Sequence, residues 1–94
     1  MPNIKKDGKP FDEPTIEAVW NKAKIQQGFT SFRSDVCGTD IQRSEYGKQS
    51  KYGWEIDHIN PVANGGTDDF SNLQPLHWET NRLKGDTYPW ECPG

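Results

Sequence analysis

Residues 54–85 read WEIDHINPVANGGTDDFSNLQPLHWETNRLKG, and the order of signals in this stretch decides the fold. Trp54 and Ile56 alternate with charged residues, the period-2 pattern of a strand with one face toward a core. Asn60-Pro61 ends it, because proline has no N–H to give to a ladder. Asn64-Gly65-Gly66-Thr67 is a turn by residue chemistry, since Asn and Gly tolerate positive φ. A second short strand fits Leu73 to Leu76, broken by Pro75, and His77 to Lys84 reads as a short helix with Gly85 at its C-terminal side.

Working outward, Ile16, Val19, Trp20 and Ala23 fall at i, i+3, i+4 and i+7, a helical stripe that begins at Pro14 and has Gly28 as its stop. Cys37-Gly38 marks a turn before a short strand around Ile41 to Arg43. Residues 46–53 are a polar, mildly basic loop. The expected class is α+β: an N-terminal helix, a strand, then a strand, a long loop, a strand and a helix. Residues 1–13 are expected as a flexible arm and 14–94 as one domain, with its core at about 53–86.

Composition limits the function classes. The chain has 94 residues, of which 31% are hydrophobic, so there is room for one compact site and no separate cofactor domain. Leu, Ile, Val and Phe supply only 16 positions, but four Trp, three Tyr and four Phe accompany a net charge of only -3. That is not the profile of a disordered chain, and aromatics bury much area per residue. No stretch has the length of a membrane helix and the start lacks an apolar signal segment, so no membrane partner and a cytoplasmic location are expected. Cys37 and Cys92 form no C-x-x-C pair; reduced thiols are expected ahead of a bridge or a shared zinc site. With a pI of about 5.2, any attraction for a polyanion must be local.

Asp57-His58 at a strand end, Asn72 fourteen residues beyond His58 and Asn81 nine further on make an unusual set. Adjacent strand residues face opposite sides, so Asp57 and His58 can share a site only if the strand twists or ends there, and Asn60-Pro61 supplies an end. Phosphodiester hydrolysis needs an activated water, neutralisation of developing charge and help for the leaving oxygen. His58 can serve as a general base, since imidazole ordinarily titrates near ~6.5. Asp57 and the amide oxygen of Asn81 are hard ligands suited to Mg²⁺ or Mn²⁺. Asn72 can both donate and accept, and so can tie its loop to the backbone beside His58. His77 and Asn81 share a helix face.

Asp57-His58-Ile59-x-Pro61, Gly65-Gly66, Asn72-Leu73-Gln74-x-Leu76 and Asn81-x-x-Lys84, in that order, resemble the HNH endonuclease family with its ββα-metal fold over roughly the last forty residues. The resemblance implies a metal-dependent nuclease that hydrolyses DNA, double-stranded above all, by nicking one strand. It implies His58 as base, Asn72 as the middle Asn, and Asp57 and Asn81 on one divalent ion, Mg²⁺ or Mn²⁺, with Zn²⁺ as a substitute in crystals. Some relatives use a helix His pair, which makes His77 a candidate third ligand. Lys84 fits the family pattern and joins Arg82 and Lys51 as candidate phosphate contacts. The zinc-binding C-x-x-C pairs of many members are missing, so aromatics and the upstream helix are expected to hold the core. A noncatalytic nucleic-acid-binding module, or a subunit of a phage or larger nuclease assembly, is the competing reading. Asp68, Asp69 and Glu79 read as solvated charges, and Trp54, Trp78 and Trp90 as core.

Overall fold

A computed structural model describes residues 3–93. The first two residues of the expected arm and residue 94 of the expected domain lie outside the described residues. Helix α1 spans Glu13–Trp20, strands β1, β2 and β3 span Lys24–Ile25, Phe32–Ser34 and Asp40–Gln42, β4 and β5 span Trp54–His58 and Leu73–His77, and helix α2 spans Trp78–Lys84. The three short strands form one antiparallel sheet in the order β1-β2-β3, and β4 pairs with β5 in a second. The class is α+β, as expected.

The Asp12 carboxylate caps α1 by accepting from the Thr15 amide at 3.0 Å, with proline in the first turn, where no N–H is needed. The helix stops at Trp20, well before Gly28. Arg33 donates to the Asn21 and Ala23 carbonyls, satisfying acceptors that a longer helix would have used itself, and the chain turns directly into β1. Ala23 is therefore off the helix but still in the core, among Phe11, Ile16, Val19, Trp20, Ile41, Trp54, Ile56 and Leu73. Trp54 lies at the centre of that core, 5.3 Å from the Trp20 ring and 4.9 Å from Tyr46. Trp78 and Trp90 are only half-buried.

Strand β5 runs through Pro75 instead of breaking there. Pro75 is opposite Ile56, and the Ile56 amide points away from β5 to the Asn3 Oδ1 at 2.8 Å. The pair is a non-hydrogen-bonded one, in which neither residue owes an N–H to its neighbour. Gly65 sits at φ 87, and a Cβ on Gly66 would lie 1.7 Å from the Asn60 carbonyl oxygen, so this loop closes tightly against the end of β4.

In the segment expected as a flexible arm, Asn3 accepts from the Ile56 amide, the Lys6 amide donates to both Asp68 oxygens at 3.0 and 3.1 Å, and Phe11 is buried. One expectation is corrected. Cys37 and Cys92, expected as reduced thiols, form a disulfide with Cα atoms 5.4 Å apart, a separation a bridge can span. It ties the β2–β3 turn to the C-terminal tail. In the same turn buried Asp35 accepts from the amides of Cys37, Thr39 and His77. Among the described residues no helix is long and apolar enough to cross a membrane.

Candidate active site

Strand β4 is buried on both faces: Trp54 and Ile56 meet the apolar core, while Glu55 and Asp57 are 4% and 7% exposed beneath α2. Burying carboxylates is costly unless each is partnered, and the helix supplies the partners. Arg82 makes a two-pronged contact with Glu55 at 2.7 and 3.0 Å, and Asn81 Nδ2 donates to Glu55 Oε1 at 2.9 Å. Lys84 Nζ lies 3.3 Å from Asp57 Oδ1 and donates to the His58 carbonyl at 3.1 Å, while Gln74 donates to Asp57 Oδ2 at 3.0 Å. Among the described residues no buried side-chain nitrogen or oxygen lacks a partner.

His58 closes β4, so its neighbour Asp57 and it both reach one cavity of about 650 Å³. Asn81 and Arg82 line the same cavity from α2, and Ile4, Lys5 and Lys6 line it from the N-terminal segment. A carboxylate only accepts hydrogen bonds. Glu55 therefore takes the amide nitrogen of Asn81 and leaves its Oδ1 for another partner. Asn72 stands behind the site: its Oδ1 accepts from the Asn60 amide at 2.8 Å, and its Nδ2 donates to the Asn60 and Thr67 carbonyls at 3.0 and 2.8 Å.

Other candidates are placed differently. His77 is paired with Trp54 at the far end of the hairpin, about 10 Å along the strand from the level of Asp57. It is 3% exposed; its Nδ1 accepts from the Glu79 amide and its Nε2 donates to the Lys51 carbonyl, so both ring nitrogens are committed and the side chain serves as the cap of α2. Lys51 belongs to that same end. Lys84 is 2% exposed and is an internal counter-ion of Asp57 instead of a surface phosphate contact. Glu55, Asp68, Gln74, Lys5 and Lys6 were not singled out from the sequence as site residues, yet each touches a site residue or lines the cavity.

Burial pushes the Asp57 carboxyl above the usual aspartate range, opposed by the Gln74 hydrogen bond and the Lys84 charge. Above the ordinary aspartate value of about 3.9, the unfolded chain has lost this proton while the fold still holds it. In that window stability falls as pH rises, up to the raised value. We expect Asp57→Asn to remove this contribution: the wild type should lose stability relative to the variant as pH climbs from about 4, read from urea midpoints. A difference independent of pH would contradict the assignment.

The HNH endonuclease family model matches residues 35–87, which span the β2–β3 turn, the hairpin β4–β5 and α2. The chain belongs to the HNH endonuclease family, a family of nucleases that act on DNA and generally use a divalent metal. No match was found among curated proteins or solved structures.

The donor set can be tested against such a metal. Among the described residues no group of three or more His, Cys, Asp or Glu is placed to hold an ion. Asp57 and Asn81 nonetheless line one cavity and both offer hard oxygen donors: Glu55 takes only the Nδ2 of Asn81, and each Asp57 oxygen, already accepting one hydrogen bond from Lys84 or Gln74, keeps a second lone pair. Two protein oxygens with the remaining positions open suit an ion of the Mg²⁺ or Mn²⁺ kind, which keeps waters and takes substrate oxygens. The residues fit the group.

Proposed function

We propose that this chain is a metal-dependent endonuclease that hydrolyses DNA phosphodiester bonds by nicking one strand per encounter. The observation that carries the reading is the convergence of Asp57, His58 and Asn81 on one cavity rimmed by Lys5, Lys6 and Arg82. His58 accepts a proton from the attacking water as its oxygen bonds to phosphorus and the ester oxygen departs. Lys5 and Lys6, with Arg82 shared with Glu55, draw the phosphate backbone in against a net charge of -3, and Asp57 and Asp86 are the acids in the same lining. Mg²⁺ or Mn²⁺ held by Asp57 and Asn81, with Zn²⁺ as a substitute, would neutralise charge developing on the phosphoryl and leaving oxygens. One such set of groups addresses one strand, hence a nick.

Asn72 positions the loop that follows His58. Asn72→Ala leaves the Asn60 amide and two carbonyls without that partner, so we expect a cost of about 1–3 kcal/mol in urea unfolding and nicking slowed about 10- to 100-fold. Full activity together with full stability would remove Asn72 from this role.

A second reading, a noncatalytic nucleic-acid-binding module, has one observation in its favour: Lys84 already gives Asp57 a cation. The experiment that separates the two is incubation of supercoiled plasmid with the protein at low salt, in EDTA, Mg²⁺, Mn²⁺ or Zn²⁺, with retardation of a DNA duplex measured in parallel. Open circles that need a metal support the nuclease. Retardation with intact supercoils in every ion supports the module, on its own or as a subunit of a larger assembly.

A further inference from the structure

Among the described residues one side chain hydrogen-bonds the imidazole of His58, on its Nε2. Its Nε2 lies 2.7 Å from Asp68 Oδ1, and Asp68 is itself fixed because both of its oxygens accept from the Lys6 amide. The Phe11 ring packs 5.9 Å from the imidazole at 40°, and the His58 side chain is 10% exposed. Partial desolvation of Asp68 works against its charge, but the hydrogen bonds from His58 and the Lys6 amide and the charges of His58 and Lys5 outweigh it and hold its pKa below the usual range. Asp68 is therefore an acceptor, and Nε2 must carry the proton it accepts. Among the described residues Nδ1 has no hydrogen-bond partner, and no fully buried side-chain nitrogen is left unpartnered, so Nδ1 keeps some access to solvent.

We propose that Asp68 is a positioning residue for His58: by accepting from Nε2–H it fixes the imidazole in the tautomer and orientation that leave the Nδ1 lone pair as the base facing the cavity. This rests on the reading of His58 as the general base. An acceptor behind the ring both selects the free nitrogen and stabilises the imidazolium formed when water gives up its proton. It also gives the N-terminal segment a part in the chemistry, because Lys6 anchors the carboxylate through its backbone and would present its side chain to a phosphate.

The test uses the intact chain with ¹⁵N-labelled histidine and reads both imidazoles at a pH where they are neutral. The chain has two histidines, and His77 is the internal control, its Nε2–H held by the Lys51 carbonyl. In the wild type both Nε2–H protons are expected as resolved signals protected from exchange. In Asp68→Ala the His58 proton signal is expected to vanish into exchange with water while that of His77 persists, which also certifies the fold. The same variant is expected to lower kcat for plasmid nicking about 10- to 100-fold with KM little changed. A His58 Nε2–H signal that survives in Asp68→Ala overturns the proposal, whether or not the wild type cuts DNA. So does loss of that signal with kcat unchanged. A wild type that never cuts refutes the nuclease reading instead, and the Nε2–H signal then decides the Asp68 contact alone.

Discussion

Opening the Cys37–Cys92 disulfide is expected to destabilise the fold by about 4 kcal/mol, the loop-entropy value for a bridge between residues 55 apart. A domain of 94 residues has a total stability of about 5–14 kcal/mol, so this one bond decides a large share of it. The melting temperature should drop by roughly 15–30 °C in reductant or in a Cys37→Ser, Cys92→Ser double variant. The reason lies in the thin core: the buried apolar set is short, and the C-terminal tail beyond α2 is joined to the body by the bridge. Tyr88, Pro89, Trp90 and Cys92 line a small cavity together with Gln74 and Lys84, the two groups on Asp57. A shift below about 1 kcal/mol would show that the loop is already ordered in the unfolded chain. Such a bridge persists in oxidising surroundings, so its behaviour in a reducing buffer also bears on the cytoplasmic location proposed from the sequence.

His58→Ala is expected to slow DNA hydrolysis by about 10²- to 10⁴-fold, the usual contribution of a positioned general base. The side chain is largely enclosed between Phe11 and Asp68. Its removal also leaves the Asp68 carboxylate without the imidazole, although the Lys6 amide still partners it, so only a modest stability loss accompanies the catalytic one. The split between the two effects carries the information. A rate loss in a variant that unfolds at nearly the wild-type urea midpoint assigns His58 to chemistry, whereas a rate loss matched by unfolding would assign it to packing.

The hairpin and its helix were legible because each signal in residues 54–85 agrees with its neighbours: alternation in Trp54 to Ile56, the Asn60-Pro61 stop, the Gly65-Gly66 turn and the helix ending at Gly85. The β1–β2–β3 sheet was legible only at β3. Its first strands are two and three residues long, and Ile25 and Phe29 are more than half exposed, so no burial period marks them. The N-terminal segment is held by the Lys6 amide, the Asn3 side chain and the single buried Phe11, which form no periodic pattern in a sequence. The disulfide was missed because two cysteines 55 apart carry no spacing signature.

In the site, Asp57, His58 and Asn81 were found by order and spacing, and the structure brings them to one cavity. Glu55 carries a readable signal: two residues before Asp57, it shares that residue's strand face and meets the same helix. Asp68 had none, because only the closure of the loop at Gly65 and Gly66 carries it back to His58. Lys84, a candidate phosphate contact in the sequence, is turned inward: of α2 only Thr80 and Lys84 are buried, and Leu83 beside it is 68% exposed. His77 shares the helix face with Asn81 only in a sequence reading; in the fold it precedes the first residue of α2 and belongs to the β5 end.

The most direct test of the central claim is the rate of plasmid nicking in Mn²⁺ and in EDTA for the wild type, His58→Ala and Asp57→Ala, each first shown to be folded. Nicked circles are expected from the wild type only with the metal, and almost none from either variant. Equal nicking by all three, or nicking that persists in EDTA, would contradict it.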